Sequence, residues 1–116
     1  MKVAKLATAK VGVPPKHFNM VSLELQGMEP EGFRNLLILG QSQFLPGGGC
    51  EGGEMMADVI YYVLEGEMTV TDKEGNDIVL AAGDSVRFEI NEYRELLNKS
   101  NDVAKMLVIA AIPPKK

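Results

Sequence analysis

The feature that most constrains the fold of this chain is how often turn-forming residues interrupt it. Clusters rich in glycine, proline, aspartate or asparagine divide the 116 residues into apolar or alternating runs of strand length. These clusters lie at 14–15, 27, 30–32, 46–53, 65–66, 72–76, 83–84 and 98–102. Between them, period two fits the apolar residues better than period 3.6, as in Val21, Leu23 and Leu25. The pattern predicts an all-β sandwich or barrel, with no linker long enough to separate two domains.

Two hairpins are the most definite local predictions. In the first, a strand over 61–64 turns at 65–66 into a strand over 67–71. In the second, the strand over 68–71 turns at 72–76 into a strand over 77–80. Gly66 and Gly75 supply the positive φ angle that tight turns require.

Composition limits the partners and the location that we expect. The net charge is −4 and no basic patch stands out, so nucleic acid is not an expected partner. The sequence has no run of eighteen apolar residues, so no membrane span is expected either. The first thirteen residues hold three lysines and lack the unbroken apolar stretch of a secretory signal. We therefore expect a cytoplasmic location, where the lone Cys50 stays reduced.

The motifs of the last two-thirds of the chain resemble those of the cupin family. They are Leu-Pro-Gly-Gly at 45–48, Tyr-Val-Leu-Glu-Gly-Glu at 62–67, the stretch 75–80 and Ala-Gly-Asp-Ser-Val at 82–86, in the family's order. The resemblance implies a cupin-type double-stranded β-helix, which is a jelly-roll barrel. It implies one domain over 1–116, with the recognisable barrel at about 33–112 and N-terminal strands and a loop over 1–32. Cupins commonly pair as dimers, so a homodimer is expected, in which the first twelve residues add a strand to the partner's sheet.

The same resemblance implies a metal site that this sequence does not keep. In the family, two histidines, a glutamate and a further histidine bind one metal ion at the centre of the barrel. Those positions fall here on Gly53, Met55, Val59 and Arg94, or on Gly52 and Glu54 for the first two. Methionine is a soft ligand, and arginine is a permanent cation that repels a metal ion. The prediction is a barrel without the usual metal and without another cofactor.

The strand pattern also predicts which residues line the barrel. If Val59 faces inward, period two places Tyr61 and Val63 on the same side. The candidate pocket residues are Met55, Val59, Tyr61, Val63, Arg94 and Leu96, together with the carboxylates Glu54 and Asp58. An apolar pocket with one fixed positive charge suits a small molecule with an apolar body and a carboxylate or phosphate head. Arg94 would contact that head, unless Glu54 or Asp58 neutralises it.

Other reactive side chains have ordinary structural interpretations. His17, the only histidine, is predicted on a surface loop, from which it reaches the site only across the barrel mouth. Cys50 lies in the glycine-rich segment 47–53, interpreted as a flexible mouth loop, and its sequence neighbours give the thiol no activation. Either Tyr61 or Tyr62 faces the cavity, where its hydroxyl would donate a hydrogen bond or a proton.

Four functions stay open from the sequence. The first is a metal-free cupin that binds a small organic, anionic metabolite. The second is a metal-independent isomerase, epimerase or lyase, weakened by the lack of a histidine in the predicted barrel. The third is a metal enzyme with a displaced site built from Cys50, Glu54, Asp58 and His17. The fourth is a dimeric structural partner without a small ligand.

Overall fold

A computed structural model describes residues 1–27 and 36–111 of the chain. Within these ranges the protein is all-β apart from a single 3₁₀ turn at Leu6–Thr8, and no helix there is long and apolar enough to cross a membrane. The strands are β1 (Lys10–Gly12), β2 (His17–Gly27), β3 (Leu36–Glu54), β4 (Asp58–Glu65), β5 (Glu67–Thr71), β6 (Asp77–Ala81), β7 (Ser85–Phe88), β8 (Tyr93–Leu97) and β9 (Ala104–Ala111). The predicted barrel limits at 33 and 112 lie outside the described residues.

The long strand β3 joins the two halves of the barrel because it changes partners along its length. Residues 36–44 pair antiparallel with β9, whereas residues 49–54 pair antiparallel with β8. The strand order is β6-β5-β8-β3-β9-β4-β7, with β2 added to β3 and β1 added to β2. The sheet closes almost completely into a barrel, so the predicted jelly-roll fold is confirmed.

Period-two alternation sorts the side chains of β4 between the interior and solvent. Val59, Tyr61 and Val63 are buried, whereas Ile60 and Tyr62 are exposed. Other strands add to the same interior, and its largest fully buried side chains are Phe44, Met68, Leu96, Met106, Val63 and Asn98. Of the two tyrosines, Tyr61 is therefore the one that faces inward.

One predicted hairpin is confirmed and the other is wrong. Strands β5 and β6 pair directly, with Gly75 at φ 85° in the turn between them. Strands β4 and β5 do not pair with each other, because β4 lies between β7 and β9 while β5 lies between β6 and β8. Gly66, at φ 75°, instead carries the chain round a corner from one half of the barrel to the other. The sequence specified the turn but not the strands that it joins.

The glycine-rich segment 47–53 is not the mouth loop that the sequence predicted. It forms the second half of β3 and pairs with both β2 and β8. Gly49 is buried, and a Cβ there would overlap the carbonyl oxygen of Leu96 on β8. Gly48 and Gly49 therefore serve close approach to neighbouring backbone rather than flexibility.

The N-terminal strands belong to the same sheet as the barrel. β2 pairs with β3 from His17 to Gly27, and β1 pairs with β2 of the same chain. One edge of β1 is therefore occupied within the chain. The homodimer, with a strand added to a partner's sheet, stays a prediction.

Candidate functional site

A cavity of about 260 Å³ lies inside the barrel, between residues of β2, β3, β4, β8 and β9. Its wall is mainly apolar, and besides Ser22 and Ser42 its polar side chains are His17, Tyr61 and Arg94. The larger apolar groups of the wall are Ile38, Phe44, Met55, Val59, Leu96 and Met106. Among the described residues that line the cavity, none is an aspartate or a glutamate. The cavity therefore combines apolar surface with a single permanent charge.

The structure brings five of the eight predicted pocket residues to this cavity. They are Met55, Val59, Tyr61, Arg94 and Leu96. Val63 faces inward but packs fully buried in the hydrophobic core, two residues along β4 from Tyr61. Glu54 is exposed at the end of β3 and does not line the cavity. Asp58 does not line it either, because its Oδ1 accepts a hydrogen bond of 2.9 Å from the backbone N–H of Ile90.

Arg94 is the half-buried cation of the cavity, and its contacts are all with neutral groups. Its Nε donates to the hydroxyl of Tyr61 at 2.9 Å, and its Nη1 donates to the carbonyl oxygen of Glu51 at 3.3 Å. Its charge also acts on the thiol of Cys50. No carboxylate in the described parts of the chain forms an ion pair with Arg94. The neutralisation by Glu54 or Asp58 that the sequence left open is therefore absent, and no described carboxylate balances the positive charge.

Tyr61 is held rigidly against Arg94. Its ring packs edge-to-face on Phe88, with 5.6 Å between ring centroids and an interplanar angle of 67°. Burial raises the pKa of Tyr61, and the charge of Arg94 only partly opposes that effect. The hydroxyl therefore stays protonated at neutral pH. Because its oxygen accepts from Arg94, its hydrogen is free to be donated to a ligand.

Cys50 has a neighbour that its local sequence does not reveal. Pairing between β3 and β8 brings Arg94 close enough to the buried thiol for its charge to influence the pKa of Cys50. Burial raises the pKa of Cys50, and this effect exceeds the opposing influence of Arg94. The group is therefore a thiol rather than a thiolate at neutral pH, which agrees with a structural role.

His17 is the residue that sequence reasoning missed. It is the first residue of β2, lies opposite Cys50 and lines the cavity, so the predicted surface loop is wrong. The inward position of His17 has a local cause. Strand β2 contains a bulge between Phe18 and Met20, with Asn19 at φ 49°. The bulge changes which side chains face inward, so the alternation of Val21 and its neighbours does not extend back to His17. Only the tolerance of asparagine for positive φ signals the irregularity.

The imidazole of His17 is held in one orientation. Its Nδ1 lies 2.8 Å from the carbonyl oxygen of Pro15, which accepts hydrogen bonds and does not donate them. Burial lowers the pKa of His17 and the charge of Arg94 lowers it further, against the opposing effect of the Pro15 contact. The ring is therefore neutral at pH 7, with the hydrogen on Nδ1 and a lone pair on Nε2.

The residues at the family's metal positions do not fit a divalent metal ion. Met55, Val59 and Arg94 surround the cavity, and Gly53 lies opposite Arg94 in the β3–β8 pairing. This set offers one soft thioether and a guanidinium, without an imidazole or a carboxylate. The alternative placement on Gly52 and Glu54 adds one carboxylate, but Glu54 is exposed and does not line the cavity. Over residues 1–27 and 36–111, no three His, Cys, Asp or Glu side chains come together as metal ligands. In particular, the structure does not gather the displaced set Cys50, Glu54, Asp58 and His17.

Comparison with known proteins agrees with this architecture. Residues 44–110 match the family model described as Cupin domain, and the chain belongs to that family. A Mycobacterium tuberculosis protein named beta-D-galactosidase is 34% identical over 113 residues, covering 97% of this chain and 96% of that protein.

Two solved structures show how closely the fold is shared. The polyketide cyclase RemF from Streptomyces resistomycificus superposes with a TM-score of 0.83 at 20% identity, covering 98% of this chain and 82% of that chain. A predicted oxalate decarboxylase from Thermotoga maritima gives 0.82 at 18% identity, covering 97% and 100%. At such identities the likeness establishes the fold, and the activities remain those of the named proteins.

Proposed function

We propose that this cupin binds a small organic anion with an apolar body, and that Arg94 anchors the anionic head inside the barrel. The observation that carries the proposal is a half-buried guanidinium at the cavity whose hydrogen-bond partners, among residues 1–27 and 36–111, are neutral. A charge held away from water is costly unless an opposite charge compensates it. A carboxylate or phosphate on the ligand would provide that charge and accept the free N–H groups of Arg94.

The size and walls of the cavity support a small and partly apolar ligand. At about 260 Å³, it lies just below the roughly 300–1,000 Å³ typical of pockets for drug-sized molecules. Phe44, Met55 and Met106 offer apolar contact to the body of such a ligand. Ser22 and Ser42 add the few polar contacts that commonly set orientation.

The experiment compares aromatic anions with neutral compounds of the same shape. Tag-free protein is titrated calorimetrically with benzoate, phenyl phosphate and phenylpyruvate, and with benzamide as the neutral counterpart of benzoate. We expect an anion to bind and benzamide to bind at least about tenfold more weakly, because the charge-assisted hydrogen bonds to Arg94 are lost.

Two arginine variants make the test specific. Arg94→Gln should weaken anion binding by about tenfold or more, whereas Arg87→Gln, at an exposed position on β7, should leave it unchanged. If anions and benzamide bind equally well, or if anion binding survives Arg94→Gln, the assignment of Arg94 is wrong.

A second candidate is action on a β-galactoside, which the M. tuberculosis relative favours through 34% identity over nearly its whole length. Glycoside hydrolysis commonly uses a pair of carboxylic acids, and no described residue of the cavity wall is one. We therefore rank this function second. Release of nitrophenol from nitrophenyl β-D-galactoside, above the buffer rate and unchanged in Arg94→Gln, would reverse the ranking.

A further inference from the structure

We propose that the cavity also catalyses proton transfer at a carbon atom beside a carbonyl group, with His17 as the base and Tyr61 as the hydrogen-bond donor to the carbonyl oxygen. The substrate class is a 2-oxo acid with an apolar substituent. The inference rests on the proposed binding of an anion at Arg94 and adds a reaction to it.

His17 has the properties of a base without help from a metal or a carboxylate. The carbonyl oxygen of Pro15, 2.8 Å from Nδ1, fixes the hydrogen on that nitrogen and leaves Nε2 as the proton acceptor. Burial and the charge of Arg94 keep the ring neutral at pH 7. Of the described residues that line the cavity, His17 is the one whose side chain accepts a proton readily at that pH.

Arg94 and Tyr61 together match the two oxygen-bearing groups of a 2-oxo acid. Arg94 donates its Nε–H to the Tyr61 oxygen at 2.9 Å. The hydroxyl hydrogen of Tyr61 and the N–H groups of the Arg94 Nη2 atom can then be donated to a ligand. In a 2-oxo acid, the carboxylate and the carbonyl are joined by one bond. A carboxylate on Arg94 therefore brings the neighbouring carbonyl oxygen toward the hydroxyl of Tyr61.

The proposed step conserves atoms and electrons. Nε2 of His17 takes a proton from the carbon beside the carbonyl. The electron pair of the broken C–H bond forms a C=C bond, and the carbonyl π pair moves to oxygen as an enolate that Tyr61 and Arg94 stabilise. The imidazolium then returns the proton to the oxygen or to carbon. The product is the enol, the exchanged substrate or its epimer, and no oxidant or reductant is needed.

The test uses phenylpyruvate, a 2-oxo acid with an apolar ring. Full-length, tag-free protein is incubated with it in D₂O, and proton NMR follows the loss of hydrogen at the carbon beside the carbonyl. We expect exchange at least about 100-fold above the buffer rate, the lower range for general acid–base catalysis. His17→Gln should remove about 100-fold of that rate while changing phenylpyruvate affinity by less than about threefold.

The two tyrosines of β4 supply a matched control. Tyr61→Phe should slow exchange by about tenfold or more because the enolate oxygen loses a donor. Tyr62→Phe, at the exposed neighbouring position, should leave the rate unchanged. Equal effects of the two substitutions would overturn the assignment of Tyr61.

A ligand-free measurement keeps the proposal open to refutation even if His17→Gln fails to fold. Because His17 is the only histidine, nitrogen-15 NMR of the wild-type imidazole reports on it alone. We expect the hydrogen on Nδ1. In the separate assay with phenylpyruvate, the exchange rate of the wild type should rise with pH along the titration curve of His17. A hydrogen on Nε2 would overturn its role as the base.

The outcomes separate this inference from the proposed function. Binding of phenylpyruvate without catalysed exchange overturns the reaction and leaves Arg94 as an anion anchor. Failure of phenylpyruvate to bind, while benzoate binds in an Arg94-dependent manner, overturns the 2-oxo acid as substrate class. Failure of every aromatic anion to bind overturns the proposed function and this inference together.

Discussion

Two polar residues at opposite ends of β8 have very different surroundings. Asn98, directly after the strand, is fully buried, and its side chain is saturated by partners within the chain. Its Nδ2 donates to the carbonyls of Phe44 and Asp102, at 3.2 and 2.8 Å, and its Oδ1 accepts from the backbone N–H and hydroxyl of Ser100, at 3.0 and 2.7 Å. Arg94, near the start of the strand, carries a charge with no carboxylate partner among the described residues.

The contrast separates a polar group that stabilises the fold from one that is available to a ligand. A buried amide that satisfies all its hydrogen bonds locks the neighbouring chain segments, and nothing further can bind to it. A charge beside a cavity that lacks an opposite charge contributes little to the stability of the fold, and a bound anion stabilises it. The end of β8 at Asn98 is therefore expected to control stability, and the end at Arg94 is expected to control binding.

The largest difference in the free energy of unfolding should come from substitutions at two glycines of β3, each of which pairs with one end of β8. Gly49 lies opposite Leu97, next to Asn98, and an added Cβ would overlap the carbonyl oxygen of Leu96. Gly53 lies opposite Arg94, and an added Cβ meets no atom within 4 Å. Gly49→Ala should cost about 3 kcal/mol or more, because backbone strands must separate, while Gly53→Ala should cost less than about 1 kcal/mol. Urea unfolding measures both, and equal losses would remove the distinction between the two ends.

Removing the saturated amide should have the next largest effect. Asn98→Ala leaves the carbonyl of Phe44 and the N–H of Ser100 without these partners, which should lower the free energy of unfolding by about 2–3 kcal/mol. Asn101→Ala, at an exposed position in the same turn, should change it by less than about 0.5 kcal/mol. A small loss for Asn98→Ala in urea unfolding would mean that the amide is not what holds this turn.

Arg94→Met should barely change stability, although it removes a hydrogen-bonding cation. The lost hydrogen bonds are offset by release from the cost of keeping the charge away from water, so we expect a change within about 1 kcal/mol. Urea unfolding without ligand gives the value. A loss as large as that of Asn98→Ala would show that Arg94 is part of the structural framework, and the contrast would fail.

The resemblance to the cupin motifs placed Val59 and Arg94, because both fall on metal-ligand positions of the family. Tyr61 then follows from period two along β4 once Val59 faces inward. Glu54 and Asp58 were misplaced because charge alone does not say whether a side chain turns to solvent or binds a backbone N–H. His17 was missed because it follows two prolines and a lysine and precedes the recognisable cupin motifs, so a surface loop was expected where β2 already begins.

The fold shows the same division between local and long-range information. The turn and pairing of β5 and β6 were predicted because adjacent strands across a short turn decide both. The pairing of β4 was not predicted, because its partners β7 and β9 are distant in sequence. In addition, a sharp turn at Gly66 is equally compatible with a hairpin and with a corner between the two halves of the barrel. The residue types at the family's metal-ligand positions could be read from the sequence, whereas the placement of His17 at the cavity with Arg94 needed the three-dimensional structure.

The smallest expected effect is a pH dependence of stability that links His17 to Arg94. In the folded chain, burial first and then the charge of Arg94 hold the pKa of His17 below its usual value of 6.5. As the pH falls through 6.5, the unfolded chain therefore takes up a proton before the folded one, and the free energy of unfolding decreases. The full contribution of His17 is present above this pH and is lost progressively below it.

Urea unfolding at pH 7.5, 6.5 and 5.5 measures this effect, with His17→Gln as the comparison. The variant should lose less stability on acidification than the wild type. The other shifted groups do not interfere. The pKa values of Asp72 and Asp77 are lowered below 3.8, and those of Cys50, Tyr61, Tyr93 and Arg94 are raised above their usual alkaline values. Arg94→Met should also reduce the loss on acidification, since one of the two influences that lower the pKa of His17 is removed. If Arg94→Met leaves the NMR titration of the single histidine unchanged, the charge of Arg94 does not influence the pKa of His17. His17 and Arg94 would then line the same cavity without acting as one site.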